Sequence, residues 1–150
     1  MRLGTIFALS LYKFMNLTHF LTMQEDFDLI AAIIEGIQEK KGRNITHVDL
    51  SGIETAATQG FVIATGNTPM QVEAIADSVR EWVEKHTGVR PFNYDGYQNA
   101  QWIIIDYGSV YVHIFVPDVR ERYNLEQLWN DAKIISIPDL DWHLVTTHNK

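Results

Sequence analysis

The stretch Gly60 to Gln71, GFVIATGNTPMQ, leaves this chain few choices of fold. Gly60 to Thr65 is a short apolar run of the kind found in strands buried on both faces. Helix-start chemistry follows at once. Thr68 is a good N-cap, Pro69 suits the first helical position, and Gln71 completes a capping box. Val72, Ile75, Ala76, Val79 and Val83 then recur at helical spacing until Gly88. A doubly buried strand feeding a capped amphipathic helix is the front half of a β-α-β unit, and such a unit needs a layered α/β domain around it.

The rest of the chain supplies those layers. From Glu25 to Lys41, Phe27, Ile30, Ala31, Ile34 and Ile37 define one helical face, with Gly42 as the stop. Ile45 to Leu50 reads as a short strand, and Val89 to Gln101 as a polar loop. Trp102 to Asp106 is an apolar strand, Tyr107-Gly108-Ser109 a turn, and Val110 to Val116 a second strand that Pro117 ends. Asp118 is expected to cap a last helix running to about Ala132. One domain over residues 23–133 is expected, preceded by an extension (1–22) outside the fold and followed by a tail (134–150) with a brief apolar run. The extension has one charge before its apolar run Ile6 to Leu11, lacks a small-x-small cleavage site, and is too short to span a bilayer.

Charge narrows the partners. The net charge is -7, from 19 acidic and 12 basic residues, and the one compact basic cluster is Lys40, Lys41 and Arg43. A protein that tracks phosphates gains affinity from lysine and arginine contacts, so direct DNA or RNA binding is disfavoured and a basic protein partner is favoured. With no cysteine, there is neither a disulfide framework nor a thiolate nucleophile or metal ligand, which fits a reducing, cytoplasmic setting.

Catalytic and cofactor chemistry is poorly supplied. Thr65-Gly66-Asn67-Thr68 lacks the further glycines and lysine of a phosphate loop, so it reads as a structural cap. Asp49 and Asp106 each end a strand, but no Asp-x-Asp stands beside them, and the strand paired with Asp106 is expected to offer His113 instead of a second acid. The histidines His19, His47, His86, His113, His143 and His148 show no zinc-binding helical spacing. No serine sits in a nucleophile elbow. What remains is a concentration of aromatic residues, Trp102, Tyr107, Tyr111, Tyr123 and Trp129, near acids. Trp and Tyr among a few charges are the usual anchors of protein interfaces. Exposure is expected for Trp102 and Tyr107, at a strand start and a turn.

Three blocks, TQGFVIATGNTPMQVEAIADSV, WIIIDYGSVYVHIF and RERYNLEQLW, in that order, resemble the ribosomal silencing factor family (RsfS/Iojap) over roughly Asp26 to Ala132. The resemblance implies an α/β domain with a mixed β-sheet flanked by helices, nucleotidyltransferase-like but without the catalytic carboxylates. It further implies a non-enzymatic activity without cofactor or metal. In this reading the protein binds the large ribosomal subunit through a basic ribosomal protein, the fourteenth of that subunit. It thereby blocks subunit association and represses translation when nutrients are scarce. Homodimers occur in the family, so self-association is compatible with it.

Trp102, Asp106, Tyr107, Gly108, His113, Arg120, Tyr123, Leu125, Glu126 and Trp129 match the family motif. Ser109 stands where an acid is usual, and Arg122 where an aromatic is usual. The partner-binding set expected is Trp102, Asp106, Tyr107, Ser109, Arg120, Tyr123 and Glu126, with Arg120 orienting the acids. Two other readings stay open. One is a metal-dependent nucleotidyltransferase-like enzyme using Gly66, Asn67 and Asp106, and the other a general dimerisation module.

Overall fold

The structure, a computed structural model, describes residues 17–18, 21, 24–26 and 28–140. Apart from Leu17, Thr18 and Leu21, the expected N-terminal extension lies outside the described residues, as does the end of the expected tail.

Six strands form one mixed sheet in the order β3-β4-β5-β2-β1-β6. They are β1 (Arg43–Asp49), β2 (Gly60–Thr65), β3 (Asn93–Asp95), β4 (Trp102–Asp106), β5 (Val110–Phe115) and β6 (Lys133–Ile137). β2 and β5 are parallel neighbours and every other pair is antiparallel. Helix α1 (residues 28–39) precedes the sheet, α2 (Pro69–Thr87) follows β2, and two short helices, α3 (Pro117–Tyr123) and α4 (Leu125–Leu128), follow β5.

Strand β2 is buried at every residue, as its unbroken apolar run requires. The cap on α2 forms through Thr68 Oγ1, which accepts from the Gln71 backbone N–H at 3.1 Å. Gln71 Oε1 reaches back to the Asn67 N–H at 2.7 Å, while its Nε2 donates to the carbonyls of Lys40 and Lys41. One side chain thus caps α2 and ties it to the end of α1. Gly88, in the left-handed conformation at φ 74°, ends α2.

Four sequence expectations need correction. The buried face of α1 is Leu29, Ala32, Ile33, Gly36 and Ile37, while Ile30, Ala31 and Ile34 are only partly buried and Phe27 lies outside the described residues. The helix is apolar around most of its girth, so periodicity alone mis-set the stripe. Close approach decided it: a Cβ on Gly36 would lie 2.9 Å from Val79 Cα, and Ser78 Oγ donates to the Gly36 carbonyl at 2.7 Å. The polar loop before β4 contains the edge strand β3. The last helix is two helices, broken where Asn124 turns left-handed at φ 44°, and Asp118 lies in the first turn of α3 without capping it. Finally, the apolar run at the start of the expected tail is β6, paired with β1 from Ile45↔Ile137 to Asp49↔Lys133, so the sheet runs past residue 133.

Strand alternation sorts the core into two layers. Ile103, Ile105, Val110, Val112, Ile114, Val62, Ala64 and Ile45 face α1 and α2. Phe61, Ile63, Val48 and Phe115 face the opposite way, where Leu50, Val119 of α3, Leu125 and Trp129 pack on them. This second, far face carries the features that matter for binding.

Candidate functional site

The far face of β4 and β5 is set by period-two alternation. Trp102, Ile104 and Asp106 share it on β4, and Tyr111, His113 and Phe115 share it on β5. Asn93 and Asp95 extend it onto β3, opposite Asp106 and Ile104. Helices α3 and α4 cover only part of this surface. Phe115 and His113 are buried beneath neighbours, whereas Trp102, Ile104, Asp106 and Tyr111 stay partly exposed and Asp95 is exposed. The uncovered half is therefore an aromatic and aliphatic strip flanked by two carboxylates.

Ring contacts hold the strip. Trp102 stacks on Phe115 at 4.9 Å and meets Tyr123 of α3 at 4.8 Å. Tyr123 itself is 52% exposed. Trp102, Val119, Arg122 and Tyr123 line a shallow cavity together with the loop from Asp95 to Gln101. The Trp102 indole N–H donates to His113 Nδ1 at 3.1 Å. Burial pushes the His113 imidazole down to about 4, outweighing the opposing pull of Glu126, so it is neutral at ordinary pH.

Arg120 anchors α3 to the sheet. Its Nη2 donates to Glu126 Oε1 at 2.6 Å and to Thr46 Oγ1 at 3.1 Å, and its Nε reaches the same carboxylate oxygen. Its Nη1 donates to Thr65 Oγ1 at 2.8 Å and to the Asn44 carbonyl. Asp106 Oδ1 accepts from the Gly108 N–H at 2.7 Å, holding the β4–β5 turn in which Gly108 adopts φ 83°. Among the described residues, no group of three or more His, Cys, Asp or Glu side chains is arranged to hold a metal, and no helix is long and apolar enough to cross a membrane.

The family model for "Ribosomal silencing factor during starvation" matches residues 23–149. The chain belongs to the ribosomal silencing factor family. It is 34% identical to the ribosomal silencing factor of Halalkalibacterium halodurans, over 73% of this chain and 92% of that protein. A more distant relative from Mus musculus, 27% identical over 69% of this chain and 45% of its own length, is named "Mitochondrial assembly of ribosomal large subunit protein 1". Among solved structures, a Chromobacterium violaceum protein at 34% identity superimposes with a TM-score of 0.64, covering 68% of this chain and 83% of that one.

In this silencing-factor fold the residues singled out from sequence divide into three groups. Trp102, Asp106 and Tyr123 lie together on the partly open far face. Arg120 and Glu126 are neighbours of that face but are engaged with each other and with the sheet. Tyr107 is a correction: it is 4% exposed and packs in the helix-side core, so it offers no anchor area to a partner. Its turn position suggested exposure, but residue 107 follows Asp106 and so points to the other face of the sheet. Ser109 is half-buried, and its carbonyl accepts from Thr58 Oγ1 at 2.6 Å and from the Gln59 N–H. Arg122 is exposed at the rim of the shallow cavity.

Register corrects one further detail. The residue opposite Asp106 is Tyr111, and His113 lies opposite Ile104. Sequence reasoning also missed Asp95 and Ile104 as members of the surface, and it named Tyr111 among the interface aromatics without including it in the partner-binding set. Alternation through WIIID and VYVHIF carried that signal for Ile104 and Tyr111, but Asp95 depended on recognising β3 inside a loop.

Proposed function

We propose that this protein silences translation by occupying the large ribosomal subunit. It docks on a basic ribosomal protein there, the subunit's fourteenth, and sterically prevents the small subunit from joining when nutrients are limiting. The observation that carries the reading is the uncovered half of the far face, where Trp102, Ile104, Tyr111 and Tyr123 lie beside Asp95 and Asp106. Partly exposed aromatics supply contact area, and acids complement lysine and arginine on a basic partner. The net charge of -7 favours encounter with such a partner in the same sense. The murine relative is named for assembly of the ribosomal large subunit, which supports the choice of subunit.

The role is non-catalytic in this proposal. Asp106, the acid best placed for metal chemistry, has one oxygen committed to the turn, and its cross-strand neighbours are Asn93 and Tyr111 instead of acids. The action takes place in the cytoplasm, with the ribosomes. Purified subunits sedimented with and without the protein test the whole reading. The protein should co-migrate with large subunits and reduce the yield of coupled particles. Trp102→Ala should fold but lose about 2 kcal/mol of binding, the scale of an interface anchor. A folded variant that binds undiminished removes Trp102 from the site, and coupling that proceeds freely at saturating protein ends the proposal.

A further inference from the structure

We propose that His113 is a positioning residue whose Nδ1 fixes the direction of the Trp102 indole. This deepens the reading above, since it takes Trp102 as a partner anchor. His113 is 6% exposed, and rings surround it: Phe61 stands perpendicular at 5.1 Å, Trp102 lies at 5.9 Å, and Phe115 is nearly coplanar in orientation at 6.1 Å. A leucine or methionine would fill such a nest without desolvating two ring nitrogens. Only one of those nitrogens is used among the described residues: Nδ1 accepts from the indole, while Nε2 is buried without a partner.

The tautomer follows from the bond. An Nδ1 that accepts an N–H carries no proton, so the ring proton of the neutral imidazole sits on Nε2. The acceptor persists at neutral pH because burial keeps the ring uncharged. Ring contacts are less directional than hydrogen bonds, so the stack on Phe115 and the tilted contact with Tyr123 leave the indole N–H more rotational freedom than a hydrogen bond does. A directional hydrogen bond removes that freedom before the partner arrives, which saves the entropy of ordering the anchor on binding.

The test measures solvent exchange of the Trp102 indole proton by heteronuclear NMR in the full chain, alongside large-subunit binding. Its resonance is assigned as the one absent from Trp102→Phe among the four tryptophans. In the wild type this proton should be protected. His113→Leu should speed its exchange severalfold and weaken binding roughly tenfold, the equivalent of one ordinary hydrogen bond. His113→Asn, whose Oδ1 can stand near the Nδ1 position, should restore both in part. Trp102→Phe, which keeps a ring but not the donor, should weaken binding to a similar degree, and adding His113→Leu to it should cost little more.

Unchanged protection in His113→Leu overturns the inference, as does undiminished binding by that variant when Trp102→Ala binds poorly. If His113→Leu does not fold, the exchange rate in His113→Asn and the binding of Trp102→Phe decide it. Binding by Trp102→Ala at wild-type strength would instead defeat the anchor reading, while the exchange data still judge the hydrogen bond.

Discussion

Replacing Arg120 by methionine keeps most of the side-chain stem and removes the guanidinium that joins α3 and α4 to the sheet. The Arg120 side chain is 15% exposed and its partner Glu126 is 24% exposed, so neither is well solvated in the folded protein. The substitution leaves the Glu126 carboxylate without its cation and the buried Thr46 and Thr65 hydroxyls without their donor. Breaking a buried pair by removing one partner costs about 3–5 kcal/mol. Residual solvent access to Glu126, and the freedom of the threonine hydroxyls to donate elsewhere, place this case at the lower end, about 3 kcal/mol. In urea that is a midpoint shift of roughly 1–2 M at an ordinary slope for a domain of this size. Arg120→Lys, which keeps the charge but loses the planar fork, should recover about half of it. Equilibrium urea unfolding followed by tryptophan fluorescence and far-ultraviolet circular dichroism measures both variants. A loss below about 1 kcal/mol in Arg120→Met would refute the idea that this network holds the helices on the sheet.

Further outcomes follow from individual contacts. Tyr107→Phe removes a buried hydroxyl that has no partner among the described residues, so urea unfolding should find stability unchanged or raised by up to about 1 kcal/mol, with large-subunit binding intact. A marked loss of binding there would restore Tyr107 to the partner surface. Thr68→Ala deletes the α2 cap and should cost about 1 kcal/mol in thermal unfolding, with Thr68→Ser close to wild type. His113 has an ordinary value of 6.5, which applies to the unfolded chain, and about 4 when folded. Between those values the unfolded chain binds the proton that the folded one excludes, so stability falls as pH drops from 6.5 towards 4 and is unaffected by this group above that window. The full loss is up to about 3 kcal/mol. The charged groups on that side are Glu126 and, paired with it, Arg120. A His113→Leu variant should lose that slope, and an identical pH profile would show that other groups set it.

Much of this architecture was legible locally. Thr68, Pro69 and Gln71 announced α2 because a helix start must satisfy its own backbone N–H groups from nearby side chains, and that chemistry is written in adjacent residues. The β4–β5 hairpin was equally clear, since Asp106 and Gly108 supply the turn from within it. Asn124 was less clear, because an apolar period running through Tyr123, Leu125, Leu128 and Trp129 looks the same whether or not one residue turns left-handed. β3 and β6 were missed as strands because edge strands are short and half solvated, which leaves little of the alternation that marks a strand.

The candidate surface shows the same division. Sequence by itself determined that a strand carries Trp102 and Asp106, that the chain is acidic, and which family motif those residues belong to. It did not determine which aromatic residue faces outward. Tyr107 and Trp102 looked equivalent as anchors, and the sheet separates them: Tyr107 is sealed under helix α2, and Trp102 lies on the side that α3 and α4 only partly cover. Likewise Arg120 and Glu126 satisfy each other across the Asn124 break, which no spacing rule for a continuous helix anticipates. Capping and alternation are set by neighbours along the chain. Exposure and charge pairing depend on what distant segments bring to the same place, and that is settled only when the layers pack.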